Sequence, residues 1–270
     1  MMKKLDKKIG LAGAGNMGSA VFEGLLRKSM ISAAQVWVYD TLTDRKESFA
    51  REWKAKTAQS IPELAGKTRL ILLAFKPQDL PASAADFKRG LTESHTVISI
   101  LAGISIEVLR KQLGDKPRIV RAMPNLGAKV GAGITAVTGG DQQSLEEAEF
   151  IFSGCGLTLR LEEAYFDCVT ALSGSGPAYY FLLMEMMAAE GVRAGLTPAQ
   201  AKMLAVQTAA GAGLLAASSS EEPAVLREKV TSKGGTTEAA LGVLEQAKIR
   251  DIFHSAIQAA VERGRKLGGR

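Results

Sequence analysis

Residues able to do chemistry gather in three places along this chain. The first is Gly13-Ala14-Gly15-Asn16-Met17-Gly18, a G-x-G-x-x-G run that follows the apolar segment Lys8–Ala12 and opens a helix-like stretch. In that setting Gly13 permits a tight turn, Gly15 lets backbone approach a pyrophosphate, and Gly18 lets helix pack on strand. The N–H groups of the helix start, those of Asn16 and Met17 among them, face the phosphates with positive potential. Strand, loop and helix together predict a dinucleotide site. The second place is Ser173-Gly174-Ser175-Gly176-Pro177, and the third is Ser232-Lys233-Gly234-Gly235-Thr236-Thr237. Taken alone, the second is a helix-opening turn, and the threonines of the third read as simple N-caps, Thr236 standing before Glu238. The two histidines, His95 before a strand and His254 in a terminal helix, read as structural or solvated. With only Cys155 and Cys168, no cysteine-rich metal site is expected.

The elements that must hold these residues fall into two kinds. Lys8–Ala12, Val36–Tyr39, Arg69–Phe75, Thr96–Leu101 and Arg118–Met123 are short apolar runs bounded by polar or turn residues, the signature of buried parallel strands. Amphipathic segments such as Ser19–Ser29 and Leu42–Lys56 alternate with them, and weaker strands at Ile134–Thr138 and Gly156–Leu161 follow. This is the pattern of an α/β, doubly wound sheet. After residue 160 the strand signal stops. Pro177 and Thr197-Pro198 open helices separated by Gly191 and Gly195, and further helices start near Pro223, after Thr236 and near Arg250. The expected division is a dinucleotide-binding domain over residues 1–160 and an all-α domain over 161–270.

Within the second part, Ala205, Ala209, Ala210, Gly211, Ala212, Gly213, Ala216 and Ala217 give a helix small surfaces on nearly every side. Such a helix must be buried, and about 110 residues bury only a modest fraction of their surface alone, so a homo-oligomer is expected.

Composition bounds the partners. The chain has 270 residues, 46% hydrophobic and 23% charged, as in ordinary globular proteins, which excludes a disordered tail, a collagen or a coiled coil. No apolar stretch reaches the ~20 residues a membrane span needs. The start, Met1-Met2-Lys3-Lys4 and onward, has no clean cleavage pattern, and two cysteines suit a reducing cytoplasm. The chain's net charge of +6 comes from residues 1–160, where 23 Lys+Arg scattered among 16 Asp+Glu give +7 against −1 for the remainder, and aromatics are only 6%. That distribution fits a small polyanionic cofactor and argues against nucleic acid. Two signals conflict over the cofactor's ribose. Asp40 ends the second strand 22 residues beyond Gly18, where an acid accepts the 2′-OH of NAD, yet Thr41, Thr43, Arg45 and Lys46 follow, and an arginine accommodates the 2′-phosphate of NADP. The balance leans slightly to NAD.

Further segments complete a set: Ala74-Phe75-Lys76-Pro77, Ser99-Ile100-Leu101-Ala102-Gly103, Arg121-Ala122-Met123-Pro124-Asn125, and the run of Pro223, Leu226, Val230, Gly234-Gly235, Thr237, Ala240-Leu241 and Leu244-Glu245. In this order, from Ile9 to the C-terminal helix, the chain strongly resembles the pyrroline-5-carboxylate reductase family. The resemblance implies a Rossmann domain followed by a helical dimerisation domain, dimers that assemble into rings, and reduction of the cyclic imine 1-pyrroline-5-carboxylate to L-proline by NADP(H) or NAD(H). It implies that Ala74, Lys76 and Pro77 line the cofactor, and that Ala102, Gly103 and Asn125 approach the nicotinamide. Ser175 and the Gly235-Thr236-Thr237 loop would hold the substrate, partly across a dimer interface.

The residues suit that chemistry. A protonated cyclic imine already accepts hydride, so the protein must supply a carboxylate holder and a donor to the nitrogen, with no metal or lysine Schiff base. Gly234, Gly235 and Thr236 at a helix start offer N–H groups to a carboxylate, and the Thr237 hydroxyl can donate towards the nitrogen, with Ser175 as a second clamp. Glu163 is a weaker candidate for sensing the substrate. Three positions depart from the family pattern: Leu126-Gly127 follow Asn125 in place of Thr-Pro, Lys233 replaces a proline, and Asp40 stands where a small polar residue is common. They leave room for a paralogue acting on a six-membered imino acid. A β-hydroxyacid dehydrogenase, which uses a lysine in its inter-domain helix, is disfavoured because no lysine lies between Arg160 and Lys202. A non-catalytic NAD(P)-binding module is the remaining alternative.

Overall fold

The computed structural model describes residues 5–268, so residues 1–4 of the N-terminal reading lie outside the described residues. The chain forms two compact units. One runs to Gly174 and takes in the chain from Ala260 onward; the other is Ser175–Ala259. Strands give way to helices after residue 160, whereas compactness divides the chain at 174/175.

The first unit alternates β1 (Ile9–Ala12), α1 (Asn16–Arg27), β2 (Val36–Tyr39), α2 (Thr43–Trp53), β3 (Lys56–Thr57), α3 (Ile61–Lys67), β4 (Leu70–Leu73), α4 (Leu80–Gly90), β5 (Thr96–Ser99), α5 (Ile106–Leu113), β6 (Arg118–Met123), β7 (Gly133–Gly139), α6 (Gln142–Ser153), β8 (Gly156–Arg160) and the short α7 (Phe166–Val169). The strands lie in the order β3-β2-β1-β4-β5-β6-β7-β8. All pairs are parallel except β6 with β7. Successive side chains of a strand point to opposite faces, and here both faces are covered. Ile9, Leu11, Leu70, Leu72, Ile98 and Val120 pack with Phe22, Phe49 and Phe152 of α1, α2 and α6. Ile71, Leu73, Val97 and Ile119 pack with Leu64, Phe87 and Leu109 of α3, α4 and α5. Each fully buried large side chain contributes roughly 1.5–3 kcal/mol, which fixes the register of the strand ends that carry the site.

Two details differ from the sequence reading. The helix over Leu42–Lys56 ends at Trp53, because Lys54 turns left-handed at φ +55°, and Lys56-Thr57 then pair with β2 as an edge strand. Two residues, one of them charged, leave no apolar run to read.

The second unit holds α8 (Gly176–Arg193), α9 (Pro198–Ser218), α10 (Pro223–Lys229), α11 (Thr236–Gln246) and the start of α12 (Ile249–Leu267), whose end belongs to the first unit. Pro177 occupies the first turn of α8, and Thr197 forms a capping box with Gln200 at α9. Gly195, at φ +98°, is the break between these helices. Gly191, read as a second separator, instead lies inside α8, where a Cβ would stand 2.9 Å from that of Ala201 and keep α9 at a distance. Inside α8 and α9 only Gly176, Ala201 and Ala205 are buried among the described side chains. Leu182, Met186, Met203 and Leu214 are exposed. Apolar surface of that extent needs another protein surface to cover it.

Candidate active site

The carboxyl ends of the parallel strands converge where the strand order reverses, between β1 and β4, the crevice in which open α/β sheets bind ligands. Gly13 leaves β1 at φ +102°, and its N–H donates to the Tyr39 carbonyl at 2.8 Å. A Cβ on Gly13 would lie 2.7 Å from the Ala74 backbone, and one on Gly18 2.4 Å from the Gly13 carbonyl oxygen. Gly15 differs: a Cβ there meets nothing within 4 Å. It is the N-cap of α1 and offers no side-chain cap, so the N–H groups of Asn16 and Met17 face the same space. A cradle built from close backbone contacts, with one side open and uncapped N–H groups lining it, fits a dinucleotide pyrophosphate.

The neighbouring strand ends supply the other sequence-read cofactor residues. Ala74 follows β4, exposed Lys76 precedes the turn at Pro77, Ala102 and Gly103 (φ +79°) follow β5, and Asn125 follows β6. The structure brings all of these to one edge of the sheet. Asp40 is buried, and its carboxylate is engaged: Oδ2 accepts the Ala14 N–H and Oδ1 the Leu42 N–H, both at 2.8 Å. Arg45 is exposed on the first turn of α2. Lys46, in contrast, is buried and donates to Gln59 at 2.9 Å.

Glu163 has a structural occupation. Its Oε1 accepts from the buried Arg121 guanidinium at 2.9 Å and from the Ile106 N–H at 2.8 Å, while Arg121 also lies 4.8 Å over the Phe166 ring. One carboxylate thus ties β6, the start of α5 and the segment leading into α7. A partner that sequence reasoning missed is Ser173, whose hydroxyl takes a hydrogen bond from Asn125 Nδ2 at 3.3 Å. It sits in a π-helical turn, Thr170–Gly174, of a kind frequent at functional sites. A Cβ on Gly174 would come 2.6 Å from Met123 Cε, the end of a flexible side chain that would have to shift. Nothing in residue spacing announces a π turn.

In the helical unit, Ser175 is the N-cap of α8, and its side chain makes no cap bond. Gly234 adopts φ +71°, and its N–H is held by Glu238 Oε2 at 2.6 Å; the Gly235 N–H donates to the Ser232 carbonyl at 3.0 Å. The two glycines therefore shape the loop and spend their own N–H groups internally. The N–H groups of Thr236 and Thr237, at the first turn of α11, have no intrahelical acceptor and are the ones suited to an anion. Lys233 is exposed beside them, and Leu126 is exposed at the start of a 3₁₀ turn.

Comparison with known proteins agrees with this geometry. The family model for pyrroline-5-carboxylate reductase dimerisation matches residues 163–267, and one for F420-dependent NADP oxidoreductases matches residues 8–103. A pyrroline-5-carboxylate reductase from Synechocystis is 37% identical, over 97% of this chain and 98% of its own. The structure of the Coxiella burnetii enzyme superposes with a TM-score of 0.91 at 33% identity, over 97% and 99% of the two chains. The Plasmodium falciparum enzyme, solved with NADP bound, gives 0.87 at 29% identity over 97% and 98%. No described helix is long and apolar enough to cross a membrane. The likeness runs through both units, and this chain belongs to the pyrroline-5-carboxylate reductase family.

Proposed function

We propose that this chain reduces 1-pyrroline-5-carboxylate to L-proline with NAD(P)H, each residue acting as follows. Gly13, Gly15 and Gly18 with the N–H groups of Asn16 and Met17 hold the pyrophosphate, while Asp40 and Arg45 face the adenine ribose. Ala74, Lys76, Pro77, Ala102, Gly103 and Asn125 line the remainder of the cofactor site at the strand ends. When bound, the reduced nicotinamide supplies hydride to the imine carbon. The N–H groups of Thr236 and Thr237 bind the substrate carboxylate, in a loop shaped by Gly234 and Gly235. Hydride addition to the protonated imine leaves a lone pair on the ring nitrogen, and the Thr237 hydroxyl donates to that lone pair as it forms. Ser175 is the second clamp. Glu163 acts at one remove, by fixing Arg121 and the start of α5.

The observation that carries the reading is the open side of Gly15 in an otherwise closed backbone cradle at the switch point of the sheet. Self-association follows from the dimerisation family and covers the exposed apolar residues of α8 and α9. The reading extends to rings of dimers, to a cytoplasmic setting suited to two free cysteines, and to no role for nucleic acid. Replacing Thr237 by Ala tests the mechanism: kcat for the imine falls at least about tenfold, the scale of one lost hydrogen bond to a charged group, while NADH affinity stays unchanged. Equal kcat in that variant removes Thr237 from the chemistry.

A further inference from the structure

The end of β2 decides which nicotinamide dinucleotide the enzyme uses. We infer that Asp40 selects NADH over NADPH, an inference that rests on the glycine loop holding the pyrophosphate. With the pyrophosphate on that loop, the adenine ribose falls at the end of β2. The group waiting there is a carboxylate that cannot swing aside. One oxygen is held by the Ala14 N–H inside the glycine loop itself, the other by the Leu42 N–H, each at 2.8 Å, and the residue is only 8% exposed. Each oxygen keeps a lone pair, so the pair can still accept ribose hydroxyls. A 2′-phosphate would instead bring its charge against a fixed, partly desolvated anion.

The cations nearby do not reverse this. Lys46 is buried and bound to Gln59, and Lys56 and Lys67 lie over the Trp37 ring at 5.6 and 5.7 Å. Arg45 remains, exposed in solvent and preceded by Asp44 in the same helical turn. A mobile, screened cation thus stands against a fixed anion. The two backbone N–H groups that hold Asp40, against an Arg45 side chain exposed to solvent, decide between them.

The test compares kcat/KM for NADH and NADPH at saturating 1-pyrroline-5-carboxylate in the whole enzyme. Wild type should favour NADH by about tenfold or more, and Asp40→Ser should lower that ratio at least about tenfold by relieving the 2′-phosphate, on the scale of one charge contact. Adding Arg45→Ala to Asp40→Ser should weaken NADPH more than NADH. A wild-type ratio at or below one overturns the inference without any variant. Equal losses for both cofactors in Asp40→Ser would also overturn it, by making Asp40 a clasp of the loop and nothing more. Wild-type protein that binds neither ADP-ribose nor its 2′-phosphate analogue would instead overturn the dinucleotide reading of the loop on which the inference stands.

Discussion

Gly15 and Gly18 stand three residues apart in one loop, and the structure gives their replacement opposite consequences. At Gly15, φ is −76° and an added Cβ meets nothing within 4 Å, so Gly15→Val requires neither strain nor repacking of the protein alone. Its folding cost should stay within about 0.5 kcal/mol. The branched side chain fills the space over the N–H groups of Asn16 and Met17. Losing two charge-assisted hydrogen bonds at about 1.5–3 kcal/mol each weakens dinucleotide binding by at least about a hundredfold. At Gly18 an added Cβ would lie 2.4 Å from the Gly13 oxygen, 2.8 Å from Ala74 Cβ and 2.9 Å from Leu11 Cδ1. Overpacking against backbone costs about 3 kcal/mol, and at about 2–4 °C per kcal/mol the melting temperature of Gly18→Val falls by roughly 6–12 °C. Thermal melts without ligand, followed by calorimetric titration with NADH and ADP-ribose, separate the two effects. Gly15→Val that binds NADH as wild type does, or that melts as early as Gly18→Val, refutes the cradle.

Three further outcomes are expected. Glu163→Gln leaves the Arg121 charge buried without its partner; the two side chains are 3% and 31% exposed, so the cost is about 2 kcal/mol, below that of a fully buried pair, and urea unfolding reads it. A raised KM for the imine with unchanged stability would return Glu163 to the substrate. Glu238→Ala frees the Gly234 N–H for an anion and should lower KM for the carboxylate-bearing imine several-fold, with no change for unsubstituted pyrroline; an unchanged KM shows that Glu238 does not compete with the substrate. Burial pushes the Cys155 thiol from its ordinary 9.0 to about 11. Its folded pKa being the higher, its stabilisation is complete below about pH 9 and is lost as pH rises through about 11, amounting to about 2–3 kcal/mol. Cys155→Ser, which keeps a donor to the Phe152 carbonyl, should flatten that alkaline loss; the same pH dependence in both proteins would assign it elsewhere.

What sequence reveals here follows from what is local. Strand β4 and the loop Gly13–Gly18 are contiguous, each with its own pattern, and both stand where the alternation places them. The edge strand β3 depends on pairing with β2, and its two residues carry no pattern of their own. Its distance from the loop marks Asp40 as the candidate ribose residue, but of the two bonds that hold it, one comes from Ala14, 26 positions away. The Arg121–Glu163 pair spans 42 positions and the Asn125–Ser173 bond 48. Contacts of such separation are set by the way strands β5 and β6 bring distant segments to one edge. The Gly234-Gly235 loop shows the same limit at short range: its glycines mark the turn, but only geometry shows that their N–H groups are already taken.

The reaction is read most plainly in its products. The enzyme would be incubated with NADH or NADPH and either 1-pyrroline-5-carboxylate or the corresponding six-membered imino acid, measuring cofactor oxidised and amino acid formed. One L-proline is expected per cofactor oxidised, with the five-membered ring strongly preferred. Turnover confined to the larger ring, or no turnover with either imine while NADH binds, would contradict the proposed reaction.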